Sequence, residues 1–297
     1  VFKSTIRQWL DRAGTNSAVW SVYRGLNSVG RLLSKSLGYA YASSAAARLA
    51  AEDSKLAAQI SPALTVLSGP FQGMRYPHAQ SAGSALIPKL LGSYERELHP
   101  AIEGLARQEF SCVVDVGCAE GYYAVGFAMR LPKVAVYAFD TNPTARRLCL
   151  AMAQLNGVSD RVRVSGFCDE QALLGLPLGP KALVISDCEG YEITLFSARV
   201  AQALAQHTLL IEIHDYLDED LGDTLKRRFE ATHHLQIFES IDDRRKVSGY
   251  ENPALAPYDT SMRRRLLTER RAWIMQWFLL TPRTPARSAA PGVSRGL

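Results

Sequence analysis

Two short stretches concentrate groups that can do chemistry. In LVISDCEGYE, residues 183–192, an apolar run leads into Asp187, Glu189 and Glu192 within six positions. In TLLIEIH, residues 208–214, Glu212 and His214 stand two apart, so strand alternation puts both on one face, and Asp215 follows. Carboxylates at the end of an apolar run are costly to bury unless something needs them. His214, with an ordinary pKa of about 6.5, is the candidate general base. A clustered carboxylate whose pKa is raised by its neighbours is the other candidate. The plainer alternatives are that Glu189 and Glu192 favour a helix N-terminus and that His214 is structural. A metal centre would need Cys, His and Asp at ligand spacing; no dedicated motif of that kind stands out, and no metal is expected.

The elements that must position these groups follow from hydrophobic patterning. Short runs rich in Val and Ile, CVVDVG (112–117), VAVYAFD (134–140), RVRVSG (161–166), ALVISDC (182–188) and TLLIEIH (208–214), alternate with stretches of helical pattern. Those helices are expected over 122–130, 143–156, a piece led by Asp169, and 191–205. Such alternation signals right-handed βαβ units and a mainly parallel sheet. A further helix over 217–231 and strands at 235–241 and 273–280 would complete it, the last after a charged insertion at 242–272. Upstream, residues 1–60 suggest one or two helices, SGPFQGMRYP (68–77) is a turn-rich connector, and 86–105 is helical with an interruption near Pro100. Tyr76, Tyr94, Glu95 and His99 could reach a substrate from this side.

Sheets of this type bind ligands beyond the carboxyl ends of their strands. The first such end is DVGCAEG, Asp115 to Gly121, where Gly117 permits a tight turn and Gly121 a close approach. The second is Asp140 in FDTNP, placed to accept hydrogen bonds from ribose hydroxyls, with Pro143 opening the next helix. A dinucleotide site wants G-x-G-x-x-G against its pyrophosphate. Here Asp115 and Glu120 flank a G-x-x-x-G turn, and negative charge there suits a cofactor with a sulfonium and an ammonium group, S-adenosylmethionine.

At these residues the chain resembles a known family. DVGCAEGYYAVGFA is similar to the first motif of class I S-adenosylmethionine-dependent methyltransferases, and FDTNP to their acidic second motif. DCEGYEITLF and LLIEIHD resemble the FkbM-type members. The resemblance covers roughly residues 110–240, with Ala119 where the usual middle glycine stands. It implies a Rossmann-like α/β fold, a mainly parallel seven-stranded sheet with helices on both faces. It places Asp115, Gly117, Cys118, Glu120 and Gly121 around the methionine end of the cofactor, Asp140 on the ribose, and Thr141 and Asn142 on the ribose–adenine side. Cys168 and Asp169 would meet the adenine. The ends of the fourth and fifth strands would lie beside the transferable methyl, so Asp187, Glu189, Glu192 and His214 would face the acceptor. A hydroxyl on a small molecule or a sugar-like, glycan-type compound fits that polar set. Competing readings are a cofactor-binding protein without turnover and a nicotinamide-dependent oxidoreductase.

The expected organisation is a helical extension or cap over 1–100, a methyltransferase domain over 101–282 and a disordered Pro/Ser/Arg tail over 283–297. Charge is uneven: residues 1–60 carry eight Lys and Arg against three Asp and Glu, and residues 261–297 eight Arg against one Glu. Basic ends could touch an acidic partner or surface, but no nucleic-acid motif accompanies them and nucleic acid is not an expected partner. No run of about 18 apolar residues occurs, so no membrane-spanning helix is expected. Five cysteines without a C-x-x-C pair read as reduced thiols of a cytoplasmic protein.

Overall fold

The computed structural model describes Leu49, residues 51–271 and residues 273–283. The chain divides into two units, 1–55 and 56–297, and the second contains the sheet. Of the helices expected in residues 1–60, residues 51–60 are helical; the rest of that stretch, and the tail beyond residue 283, lie outside the described residues.

Three of the Val- and Ile-rich runs become strands that water does not reach. β1 (Cys112–Val116), β4 (Leu183–Ser186) and β5 (Thr208–Ile213) are buried at every position, the mark of strands covered on both faces. β2 (Ala135–Phe139) flanks β1, and β3 (Val162–Ser165) forms an edge with exposed alternate residues. β6 (His233–Glu239) and β7 (Gln276–Pro282) complete a seven-stranded sheet in the order β3-β2-β1-β4-β5-β7-β6. The pairings from β3 through β5 are parallel, and β7 runs antiparallel to both β5 and β6. This is the Rossmann-like, mainly parallel sheet that the resemblance implies. The chain order reverses between β1 and β4, which makes the crevice between them the topological switch point.

Alternate residues feed two cores. Val113 and Ile185 face the one that holds Phe127 and Met152, from helices α3 (Tyr122–Arg130) and α4 (Pro143–Leu155). Val114 and Val184 face the other, with Val200 of α7 (Ala198–Ala203) and Leu225 of α8 (Leu221–Phe229). The expected helix over 191–205 is two, α6 (Glu192–Leu195) and α7, because Ser197 leaves the helix and caps α7 by accepting from Val200 N–H. α5 (Glu170–Leu174) is short and begins at Asp169.

Residues 56–100, expected to form part of an extension, share the first core with the sheet: Phe71 sits edge-on to Tyr122, Tyr123 and Phe127. The helical stretch there splits into α1 (Leu86–Leu91) and α2 (His99–Leu105). Its interruption falls at Gly92–Glu95 rather than at Pro100, which sits in the first turn of α2, where a missing N–H costs nothing. The charged insertion carries α9 (Asp243–Lys246) and α10 (Thr260–Leu267), docks through Leu255, Leu266 and Leu267, and returns to β7 past Glu269 and Arg271.

Candidate functional site

A cavity of about 600 Å³ opens beyond the carboxyl ends of the central strands, within the range of small-molecule and cofactor pockets. One wall is the loop after β1. Gly117 N–H and Cys118 N–H both donate to Phe139 O, and Ala119 N–H donates to Asp140 Oδ2 at 2.9 Å. Asp140 Oδ1 accepts Asn142 N–H at 2.7 Å, and Asn142 in turn caps α4 by accepting from Thr144 N–H. Asp140 therefore ties the two loops together while lining the cavity, and each carboxylate oxygen retains acceptor capacity. Thr141, Asn142, Cys118 and Cys168 line it too, as expected.

Gly117 lines the cavity as well, and with φ +86 a Cβ there would lie 1.7 Å from the backbone oxygen of Asp187, so this glycine also serves the approach of the β1 and β4 loops to each other. Three sequence-based assignments change. Gly121 (φ +99) faces Cys149 Sγ of α4, not the cavity. Glu120 is buried away from the cavity in an ion pair with Lys89 at 2.5 Å, and also accepts from Ser81 Oγ and Ala82 N–H. Lys89 neutralises its charge, so Glu120 would set no net repulsion against a pyrophosphate. Asp169 does not line the cavity; it caps α5 by accepting from Ala172 N–H at 2.8 Å. Asp115 is also buried behind the loop. Burial pushes its carboxyl up to about 7, and its Oδ2 has no hydrogen-bond partner.

The other end of the cavity holds the acids. Asp187 directly follows β4, and the parallel register pairs Ser186 with Ile211, which sets Asp187 beside Glu212 of β5. His214 is 2% exposed, and its Nδ1 lies 2.8 Å from Glu192 Oε1. Its Nε2 lies 3.5 Å from Asp187 Oδ1, 3.6 Å from Glu189 Oε2 and 3.7 Å from Glu212 Oε2. Glu192, expected to face an acceptor, is 0% exposed and outside the cavity lining. It accepts from Cys188 N–H and holds His214, which makes it a positioning residue. Glu189 is 73% exposed and lines the cavity.

Electrostatics follow from this crowding. Burial and the neighbouring Glu212 push the Asp187 carboxyl well above the usual range. Burial alone would lower His214, but the hydrogen bond and charge of Glu192, then Glu212 and Glu189, raise it. Burial would raise Glu192, yet its bond and charge interaction with His214 bring it below the ordinary value.

Arg271 was not singled out from sequence. It comes from the insertion, lines the cavity, and pairs with Glu212 Oε1, Glu95 and Glu269. Tyr94 and the exposed rings of Phe167, Tyr216 and Trp273 line the cavity as well. Glu95 turns instead to Arg271 and Tyr123 Oη, Tyr76 is buried, and His99 Nε2 bonds to Tyr94 O. Single aromatics in loops carry no sequence signal that separates them from packing residues.

No family model matches the chain. A release factor glutamine methyltransferase from Deinococcus radiodurans is 35% identical over 107 residues, which is 36% of this chain and 36% of that protein. The chain thus matches about a third of that relative's length. Among solved structures, a SAM-dependent methyltransferase from Geobacter sulfurreducens in complex with S-adenosyl-L-homocysteine aligns at a TM-score of 0.41 and 16% identity, over 63% of this chain and 91% of that one. The C-terminal domain of precorrin-6Y C5,15-methyltransferase from Rhodobacter capsulatus aligns at 0.42 and 15%, over 62% and 87%.

Proposed function

We propose that the chain is an S-adenosylmethionine-dependent methyltransferase of FkbM-like type, acting on a hydroxyl of a small-molecule or glycan-type acceptor. The observation that carries this reading is a single cavity at the switch point with Asp140 on one side and the Asp187, Glu212 and His214 cluster on the other. The Deinococcus relative, a release factor glutamine methyltransferase, supports methyl transfer and says nothing for a hydroxyl acceptor.

The residues fit the cofactor. Asp140 keeps acceptor capacity for two ribose hydroxyls, and Glu189, exposed on the lining, offers a carboxylate to a sulfonium or an ammonium. Phe167, exposed at the lining, offers a ring face to adenine beside Cys168. When bound, S-adenosylmethionine supplies a methyl group activated for in-line displacement. The chain's own part is to hold the acceptor oxygen against that methyl and to exclude water. Asp187, Glu189, Glu212 and His214 receive and orient the hydroxyl. Tyr216, its ring 5.9 Å from that of His214, walls the same end.

The test is calorimetry of the full chain with S-adenosylmethionine, S-adenosylhomocysteine and NADH, with mass spectrometry of any copurified small molecule. The first two should bind and NADH should not. Asp140→Ala should weaken binding about 10- to 150-fold, the equivalent of about 1.5–3 kcal/mol for lost charged hydrogen bonds. Preference for the dinucleotide would overturn the reading. Binding followed by labelled-methyl transfer into hydroxyl-bearing extract fractions separates the enzyme from a binding protein without turnover.

A further inference from the structure

We propose that Asp187, Glu212 and His214 form a binding site for one divalent cation at the acceptor end of the cavity. Their ligand atoms lie within 4.8 Å of one another. The separations of 3.5–3.7 Å around His214 Nε2 are longer than an N–H···O hydrogen bond, about 2.7–3.2 Å. They are a few tenths of an ångström wider than donors around a shared ion, which at about 2.1 Å from it stand roughly 3.0–3.4 Å apart, so a small inward adjustment would close the group on a cation.

The orientation of His214 points the same way. Glu192 takes the Nδ1 side at 2.8 Å, which aims Nε2 at the carboxyl groups of Asp187, Glu189 and Glu212. A carboxylate behind a buried imidazole is the arrangement that fixes a metal-binding histidine. None of the three carboxyl oxygens is nearer to Nε2 than 3.5 Å, so no direct hydrogen bond occupies that nitrogen. Asp187 Oδ1 is independently left buried with no hydrogen-bond partner. On Glu212, Arg271 occupies Oε1 and leaves Oε2 toward His214.

One imidazole and two carboxylates form a hard-to-borderline donor set, suited to Mn²⁺ and Zn²⁺ among first-row ions. Sequence spacing hides the site because its ligands come from two strand ends 25 and 27 positions apart. The cation's role rests on the methyl-transfer reading; its binding does not. In that role the ion would hold the acceptor oxygen and lower its pKa, so that the proton passes to solvent water. The O–C bond then forms as the sulfonium S–C bond breaks, leaving a neutral thioether.

The test uses full-chain protein stripped with a chelator and titrated with Mn²⁺ alone, without cofactor or acceptor, followed by electron paramagnetic resonance of free Mn²⁺ and by melting temperature. One Mn²⁺ should bind per chain and raise the melting temperature. Asp187→Asn and His214→Gln should abolish the tight site. Glu192→Gln should weaken it about 10- to 100-fold, as for a lost partner behind a metal-bound histidine. Circular dichroism of each variant confirms folding. Absence of saturable binding, or binding that all three folded variants retain, would overturn the proposal. Neither result touches the calorimetric test of the cofactor, so the two readings fail separately.

Discussion

Replacing Gly117 by alanine tests why the first loop is built as it is. The added Cβ would sit 1.7 Å from Asp187 O, against the 3.0 Å below which real contacts essentially never fall. The loops after β1 and β4 must therefore part by roughly 1.3 Å. That breaks the Asp187 N–H to Val116 O bond, now 2.9 Å, at about 0.5–1.5 kcal/mol. The left-handed φ of +86 adds about 1–2 kcal/mol for a side-chain-bearing residue. The sum is about 1.5–3.5 kcal/mol, or roughly 3–14 °C in melting temperature for a domain of this size. Gly157→Ala is the control: its φ is +68 but nothing lies within 4 Å of the added carbon, so it isolates the backbone contribution. Urea and thermal denaturation of both variants should show Gly117→Ala less stable than Gly157→Ala by about 1 kcal/mol or more. Cofactor affinity should fall in Gly117→Ala alone, because Asp187 moves with the loop. Equal stability of the two variants would refute the loop-to-loop role and return Gly117 to a direct cradle for a ligand.

Three further outcomes are expected. Lys89→Met strands the Glu120 carboxylate in the interior and should cost about 3–5 kcal/mol in denaturant unfolding, largely recovered in Lys89→Met with Glu120→Gln. His207 Nδ1 accepts Ala182 N–H, and burial, then the charge of His233, lowers its pKa; burial lowers His233 against a bond to His207 O. Because both native pKa values lie below the unfolded value near 6.5, their stability is complete above that pH and is lost as pH falls through and below it. Their share is read as a difference: between pH 7.5 and 5.5, His207→Gln should lose less melting temperature on acidification than the unsubstituted chain; identical pH profiles would show that these histidines contribute nothing to it. Arg271→Met leaves Glu95, Glu212 and Glu269 without its guanidinium and should lower the melting temperature, with partial recovery in Arg271→Lys.

Much of the fold was legible because it is local. Strands buried on both faces need near-continuous apolar runs, and CVVDV, LVIS and TLLIEI are such runs, broken by a charge only at Asp115 and Glu212, each leading into a polar turn. One wall of the cavity was legible for the same reason, since Asp140, Thr141 and Asn142 occupy the turn between one strand and one helix. Tertiary structure decided what neighbours in sequence became. Glu189 and Glu192 are three apart, yet one is exposed in the cavity and the other fully buried behind His214, because α6 turns its first residue into the interior. Glu120 read as a cofactor-side acid until Lys89, 31 positions earlier, proved to be its partner. Arg271 reaches Glu212 across 59 positions through an insertion without a recognisable pattern. Residue type and spacing show which groups can ionise or bond; which of them meet is set by strand register and by distant segments that pack over the strand ends, and the charge of each site depends on those meetings.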